Sequence, residues 1–235
     1  MKVAYLIEPP FNYRDESGAI TGCDVELARQ VLHQLGIGDV IFVEVEFADL
    51  LPGLTRKAWQ MTTGLFATET RQALALFSRP IWALPDGLLI RSADTNRFNG
   101  YRSLAGLDAL KLAVIRDQFQ HQNALDMGVP PDRILVFATY LEAADAVRAG
   151  QVDAYASVAR AHEGYLERTP NAHMTSIVIP SSEKPAAFGC FGFDKANPDL
   201  RDAVDGVLNT LIGSKAHRQL MKTFGFSDDD IDLLV

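Results

Sequence analysis

The sequence contains little cysteine. Its two cysteines, Cys23 and Cys190, are too few and too far apart to indicate a zinc site or a disulfide framework. We interpret both as small buried hydrophobic residues. With 235 residues, of which 48% are hydrophobic, the chain is able to bury a substantial core without metal or disulfides.

Positive charge is also scarce. The formal net charge is −8, and no run of lysine and arginine occurs. Binding to a polyanion requires clustered cations that neutralise its phosphates. We therefore expect no nucleic-acid partner.

Long hydrophobic runs are missing as well. A helix needs roughly 18 to 20 apolar residues in a row to cross a bilayer, and the longest candidates are interrupted by Pro80, Pro85, Asp86 and Arg91. Met1 is followed at once by a strand-like segment, so the pattern of a secretory signal is absent. Two interpretations fit: a cytoplasmic protein, or an exported protein whose signal has been removed.

Motifs for chemistry are few. The histidines show no metal-ligand spacing, and His33 and His217 are expected on solvated faces of helices. No phosphate-binding glycine loop or nucleophile elbow occurs, and the Ser-x-x-Lys pattern of Ser181–Lys184 lacks its companion motifs. We expect no metal, no cofactor and no catalytic residue.

The hydrophobic periodicity predicts two successive series of strands and helices. The first runs from the strand Val3–Ile7, through a helix that Asp24 would cap, to a strand Gln60–Thr63. After Gly87–Arg91 the pattern begins again, with a strand at Lys111–Ile115. Two series of about 90 to 100 residues predict two α/β lobes with a cleft between them.

Acidic, basic and aromatic residues follow three successive strands of the first series: Glu8, Phe11, Phe47, Phe66 and Arg71. If these strands are parallel neighbours, their carboxyl ends bring the five residues to one rim. There Arg71 would bind a carboxylate with its planar fork. The phenylalanine rings would face a cation, and Glu8 would neutralise it.

Each of these residues also has a simpler interpretation. A single phenylalanine at a strand end more often belongs to the core, and Glu8 or Arg71 alone is more often a solvated charge. The combination at three strand ends favours the binding site.

Several segments, in this order, resemble the polar amino acid branch of the type 2 periplasmic binding proteins, which serve ABC importers. The segments are Thr21–Ala28, Leu35–Gly36, Leu51–Leu54, Thr68–Arg71, Phe77–Pro80, Gly150–Ala154, Phe191–Lys195 and Phe224–Gly225. The resemblance implies a two-lobed α/β fold, with each lobe a βα sheet domain and two crossover strands joining them. Lobe 1 would comprise residues 1–90 and 188–235, and lobe 2 residues 91–187.

The resemblance also implies roles for single residues. Arg71 matches the arginine that holds the ligand carboxylate in this family. A carboxylate that normally holds an α-amino group is replaced here by Ser157 and Val158, so an ordinary α-amino acid would lose that partner.

One subgroup, the ectoine and hydroxyectoine binders, is more similar. The similarity lies in Glu8–Phe11, Gly64–Phe66, Arg71 and Gly128–Arg133, and Phe47 matches an aromatic position of that subgroup. Arg116–Gln120 departs from it, because a small loop rich in glycine and threonine is expected there. Phe119 could narrow the site, or Asp117 and Gln118 could offer polar contacts to a different compound.

We therefore expect a periplasmic, monomeric, non-enzymatic binding protein that closes on a small zwitterion and delivers it to an ABC transporter permease. The ligand-binding residues would be Glu8, Phe11, Phe47, Gly64, Phe66, Arg71, Gln118, Phe119 and Ser157. Two alternatives stay open: the sensing domain of a signalling receptor, and a periplasmic enzyme of the cyclohexadienyl dehydratase kind.

Overall fold

The structure, a computed structural model, describes residues 1–107, 109–170 and 172–235. The chain folds into two compact units. Unit 1 consists of residues Met1–Ala83 and Phe188–Val235, and unit 2 of Leu84–Ala187. Both units are α/β, as the sequence predicts.

The main sheet of unit 1 has the strand order β4-β1-β5-β13-β6, and β7 also pairs with β13. Its strands are β1 (Lys2–Tyr5), β4 (Ile41–Glu44), β5 (Met61–Phe66), β6 (Ala75–Phe77), β7 (Trp82–Leu84) and β13 (Ala187–Asp194). A separate two-stranded sheet pairs β2 (Tyr13–Arg14) with β3 (Ile20–Thr21). The strands β1, β4 and β5 are parallel neighbours, whereas β13 runs antiparallel to β5 and β6.

Six α-helices belong to the described part of unit 1. They are α1 (Cys23–Gln34), α2 (Leu50–Thr55), α3 (Glu69–Gln72), α8 (Pro198–Leu211), α9 (Lys215–Thr223) and α10 (Asp228–Asp232). Side-chain caps explain several starts: Thr68 Oγ1 accepts from the Arg71 amide at 3.3 Å, and Ser214 Oγ accepts from the His217 amide at 3.2 Å.

Unit 2 contains a five-stranded sheet with the order β10-β9-β11-β8-β12. The strands are β8 (Asp86–Arg91), β9 (Leu112–Ile115), β10 (Ile134–Phe137), β11 (Ala154–Val158) and β12 (Met174–Val178). Its helices in the described residues are α4 (Tyr101–Ala105), α5 (Phe119–Asp126), α6 (Tyr140–Arg148) and α7 (Ala159–Arg168). A reciprocal pair of bonds between Thr139 and Glu142 starts α6.

The first boundary between the units lies earlier in the chain than the sequence analysis placed it. Residue 90 was expected to end lobe 1, but β8 pairs with β11 and β12 in the sheet of unit 2. Because these backbone hydrogen bonds belong to the second sheet, the change of unit precedes Asp86. The second boundary falls between Ala187 and Phe188.

Two expectations about helix residues were wrong. Gly22, and not Asp24, is the N-cap of α1, and Asp24 is buried within the first helical turn. His217 was expected on a solvated face, but it is fully buried and its Nδ1 accepts from the Gly213 amide at 3.3 Å. Burial lowers the pKa of His217 to about 4, with a further contribution from Arg218 and Arg79.

The two units have separate hydrophobic clusters. In unit 1, Trp59 packs with residues of β1 and α2, and its Nε1 donates to the carbonyl of Leu50 at 2.9 Å. In unit 2, aliphatic residues of β8, β9 and β11 pack against Tyr101 and Leu104 of α4. None of the helices in the described residues is long and apolar enough to span a membrane.

The turn before α1 provides a test of the local packing. Gly22 has φ 127°, and a Cβ built on it would lie 2.1 Å from the carbonyl oxygen of Phe11. We expect Gly22→Ala to lower the free energy of unfolding by about 3 kcal/mol or more, since strain and a backbone clash act together. Urea unfolding measures this change.

The matched control is Gly206→Ala. Gly206 lies in the exposed part of α8, and a Cβ there would meet open space. We expect this variant to gain about 0.5 to 1 kcal/mol. Equal stabilities of the two variants would contradict the role given to Gly22.

Candidate ligand-binding site

A tight turn at residues 8–12 carries the first two candidate residues. The amides of Phe11 and Asn12 donate to the carbonyl of Glu8 at 3.0 and 3.1 Å. The first amides of α1 hold the same turn, because Cys23 N donates to Pro10 O and Asp24 N to Phe11 O. Both Glu8 and Phe11 are buried there. The helix start therefore fixes the backbone from which the Phe11 side chain extends.

Three aromatic rings meet in unit 1. The centroid of Phe11 lies 5.2 Å from that of Trp82, and the centroid of Phe66 lies 5.5 Å from it. Phe66 meets the indole edge-on, at an interplanar angle of 74°. The sequence analysis predicted that Phe11 and Phe66 lie at one rim of the sheet, but it did not predict that Trp82 lies between them.

The indole of Trp82 lies against two glycines. A Cβ built on Gly189 would lie 2.2 Å from Trp82 Cη2, and one built on Gly64 would lie 2.9 Å from Trp82 Nε1. The ring thus occupies space that any side chain at these positions would need. Gly64 was predicted as a ligand contact, and the structure shows that its side-chain direction faces Trp82 and Asp24.

Asp24 joins three elements of unit 1 through its carboxylate. Oδ2 accepts from the Gly64 amide at 2.8 Å, and Oδ1 accepts from Trp82 Nε1 at 3.0 Å. Burial raises the pKa of Asp24 to about 6, although these hydrogen bonds act in the opposite direction. The carboxylate links α1 with β5 and β7.

Arg71 lies just beyond the carboxyl end of β5. Its Nη1 donates to the Phe66 carbonyl at 3.0 Å, and its guanidinium carbon lies 5.0 Å from the centroid of Phe47. Only 9% of the residue is exposed. The guanidinium is therefore held in place by two of the predicted site residues, and the ring of Phe47 stacks on it.

Unit 2 contains the other three candidates. Gln118 and Phe119 lie at the start of α5, after β9, and Ser157 lies in β11 opposite Gly87 of β8. Gln118 is 6% exposed, and its Oε1 has no hydrogen-bond partner within the described part of the chain. A buried acceptor of this kind is costly unless a donor reaches it.

A charged pair that the sequence analysis did not predict lies next to Phe119. Lys184 Nζ lies 4.4 Å from the Phe119 centroid and 4.0 Å from Asp86 Oδ2. The Asp86 carboxylate also accepts from side chains of three residues, which are Tyr101, Gln120 and Asn123, each at 2.8 Å. Burial lowers the pKa of Lys184.

Metal binding finds no support in this arrangement. No group of three or more histidine, cysteine, aspartate or glutamate residues with suitable geometry occurs within residues 1–107, 109–170 and 172–235. The candidate residues offer a guanidinium, buried carboxylates and aromatic rings.

Residues 1–227 match the bacterial extracellular solute-binding proteins, family 3. The chain belongs to this family. A probable amino-acid ABC transporter periplasmic-binding protein of Sinorhizobium fredii is 26% identical over 235 residues, which cover 97% of this chain and 78% of the relative. Membership implies a small-molecule ligand and an ABC transporter as partner.

Solved structures show the same fold. The complex of EhuB with hydroxyectoine has a TM-score of 0.89 at 24% identity, covering 99% of this chain and 90% of that chain. AncCDT-1, an ancestral amino acid-binding protein described as a precursor of cyclohexadienyl dehydratase, has a TM-score of 0.83 at 21% identity. That match covers 95% of this chain and 94% of the other. These likenesses establish the type II periplasmic binding protein fold predicted from the sequence.

Sequence reasoning on this solute-binding protein missed Trp82 and the tethering role of Asp24. A signal for both was present, since Gly64 and Gly189 lie in strands, where glycine often marks the close approach of another group. A glycine in a strand does not show which residue packs against it. Trp82 could not be assigned to Gly189 because the two residues are far apart in sequence.

The raised pKa of Asp24 predicts a pH dependence of stability. In the unfolded chain this pKa returns to about 3.9, so the folded state binds more protons between about pH 4 and pH 6. The contribution of Asp24 to the free energy of unfolding therefore falls as pH rises through this window, by up to about 3 kcal/mol.

Urea unfolding of the wild type and of Asp24→Asn at pH 4, 5, 6 and 7 measures this effect. Contributions of other titrating groups cancel in the difference between the two proteins. We expect the advantage of the wild type to shrink as pH rises. A difference that stays constant from pH 4 to pH 7 would show that Asp24 titrates elsewhere.

Proposed function

We propose that this solute-binding protein binds a small zwitterion and presents it to an ABC importer from the periplasm. The observation that carries the proposal is the guanidinium of Arg71, held between Phe47 and the carbonyl of Phe66 beside an aromatic cluster. A fixed guanidinium is suited to bidentate recognition of a carboxylate.

The aromatic rings of unit 1 support a cation as the second charge of the ligand. Phe11 and Phe66 would present ring faces or edges to it, and Glu8 would balance its charge. Phe47 already stacks on Arg71, at 5.0 Å from the guanidinium carbon. We therefore assign Phe47 to holding Arg71, a change from its expected role of facing the ligand cation.

The positive group of the ligand is proposed to be delocalised or alkylated. A primary ammonium has three N–H donors to satisfy. The resemblance to the family implies a carboxylate opposite that group, and Ser157 and Val158 stand in its place here. Ectoine and hydroxyectoine carry a delocalised amidinium and a carboxylate, so they fit this chemistry better than an ordinary α-amino acid does.

Unit 2 is proposed to complete the binding by hinge closure. Gln118, Phe119 and Ser157 would then contact the ligand. The buried Oε1 of Gln118, which has no hydrogen-bond partner among the residues that the structure describes, supports a ligand that bears an N–H or O–H donor. Closure stabilised by the ligand would produce the form that the importer recognises.

We further propose that the protein acts as a monomer without catalysing a reaction. Three similar proteins are described as binding proteins, which supports the absence of catalysis. A dehydratase would need an acid or base aimed at the bound substrate, and the geometry of the site residues gives no such role to a particular side chain.

A thermal-shift panel tests the ligand class. It contains ectoine, hydroxyectoine, glycine betaine, arginine, glutamine, prephenate and arogenate, each at 1 mM. A ligand that binds only the folded state raises the melting temperature. At 1,000 times its Kd it increases the free energy of unfolding by about 4 kcal/mol. We expect the largest shift with ectoine or hydroxyectoine, and no turnover of prephenate or arogenate by absorbance. Shifts confined to α-amino acids would contradict the proposed cation.

Substitution of Arg71 tests the carboxylate site. We expect Arg71→Ala to weaken binding of hydroxyectoine at least 100-fold by calorimetry, because a charge-assisted bidentate contact is lost. Arg71→Lys keeps the charge but not the fork, so an intermediate loss is expected. Arg56→Ala removes an exposed arginine of the same unit and serves as the control. Unchanged affinity in Arg71→Ala would refute the assignment.

A further inference from the structure

Three residues constrain the indole of Trp82, namely Asp24, Gly64 and Gly189. Asp24 accepts its N–H at 3.0 Å. Gly64 and Gly189 leave the space in which the ring lies. Only 6% of the residue is exposed. A ring with its only donor bound and its edge against two backbones has one available orientation.

Trp82 in turn determines where two proposed ligand-binding rings lie. Phe11 and Phe66 both pack on it, with centroid distances of 5.2 and 5.5 Å. A cation is attracted to an aromatic ring only within about 6 Å of its centroid. A shift of Trp82 would therefore move both rings relative to a bound cation.

The carboxylate of Asp24 is placed to prevent such a shift. It also accepts from the Gly64 amide at 2.8 Å, next to Leu65 and Phe66 in β5. One side chain thus holds both the indole and the strand that carries Phe66. The start of α1, where Asp24 lies, holds the carbonyl of Phe11 as well.

We propose that Asp24 is a positioning residue for the ligand site, acting through Trp82 on the rings of Phe11 and Phe66. The proposal rests on the proposed function, since it concerns the same site. Asp24 itself would not touch the ligand. Trp82 would be a determinant of specificity for the cation, because it fixes the distance between the two phenylalanine rings.

A double-mutant cycle separates positioning from general destabilisation. The variants are Asp24→Asn, Trp82→Phe and their combination, and the probe is hydroxyectoine, measured by calorimetry. In Asp24→Asn one oxygen becomes an NH2 group, so an N–H donor of Trp82 or Gly64 faces another donor. In the Trp82→Phe background no indole N–H is present. The side-chain oxygen of the asparagine at position 24 can then accept from the Gly64 amide.

We expect Asp24→Asn to raise the Kd at least tenfold in the wild-type background and less than threefold in the Trp82→Phe background. Equal fold-changes in the two backgrounds would overturn the proposal. Asp205→Asn is the matched control, because Asp205 of α8 also accepts a backbone amide, that of Arg79 at 2.7 Å, and is not bonded to Trp82 or Gly64 through any hydrogen bond of the described residues. Its Kd should stay within twofold of the wild type.

A second variant approaches Trp82 from the other side, in case Asp24→Asn does not fold. Gly189→Ala would place a methyl group 2.2 Å from Cη2 of the ring and force the indole to move. We expect the same loss of affinity, and a smaller loss in the Trp82→Phe background, where the smaller ring leaves room. Full affinity in Gly189→Ala would count against Trp82 as a determinant.

Fluorescence gives a readout that needs no ligand. The chain has two tryptophans, so Trp59→Phe leaves Trp82 as the only reporter. In this background we expect Asp24→Asn and Gly189→Ala to raise acrylamide quenching at least twofold, and Asp205→Asn to leave it unchanged. Unchanged quenching in the first two variants would overturn the positioning role. Failure of hydroxyectoine to bind the wild type would instead count against the proposed ligand alone.

Discussion

The buried carboxylate of Asp24 is the interaction on which the arrangement of unit 1 depends. Its two oxygens accept from the Gly64 amide and the Trp82 indole, which lie 40 and 58 residues further along the chain. Removing a carboxylate from water is costly, and the raised pKa of about 6 records that cost. The thiol of Cys23 is a third donor, to Oδ1 at 3.5 Å. A buried carboxylate with several donors fixes geometry more strictly than an apolar contact of the same size.

Three glycines of unit 1 allow close packing near this carboxylate. Gly22 admits the carbonyl of Phe11 at the start of α1, and Gly64 and Gly189 admit the ring of Trp82. These close approaches place Phe11 and Phe66 on one tryptophan, while Arg71 is held by Phe66 and Phe47. The proposed carboxylate binding by Arg71 and the placement of the rings in unit 1 thus both depend on the strand β5, which supplies Gly64 and Phe66.

Unit 2 contains a buried carboxylate that several side chains bind. Asp86 is surrounded by donors from Tyr101, Gln120 and Asn123, and Lys184 lies over Phe119 at its side. The sequence analysis proposed Gln118, Phe119 and Ser157 from a family pattern, and these assignments stay predictions. It did not predict that Asp86 and Lys184 lie close together. Asp86 begins β8 and its hydrogen-bond partners lie in segments distant along the chain, and Lys184 lies in a polar segment without periodicity.

The family was indicated by the resemblance of several segments along the chain. From periodicity the sequence by itself indicated two series of strands and helices, the α/β class, and acid, base and aromatic residues after three strands. Those features are local, because periodicity and capping patterns act over a few residues. Only the tertiary structure decided that β13 returns between β5 and β6, that β8 belongs to unit 2, and that Asp24 holds Trp82 and does not cap α1. These outcomes depend on contacts between distant segments, whose free energy arises when the sheets assemble and a carboxylate is withdrawn from water.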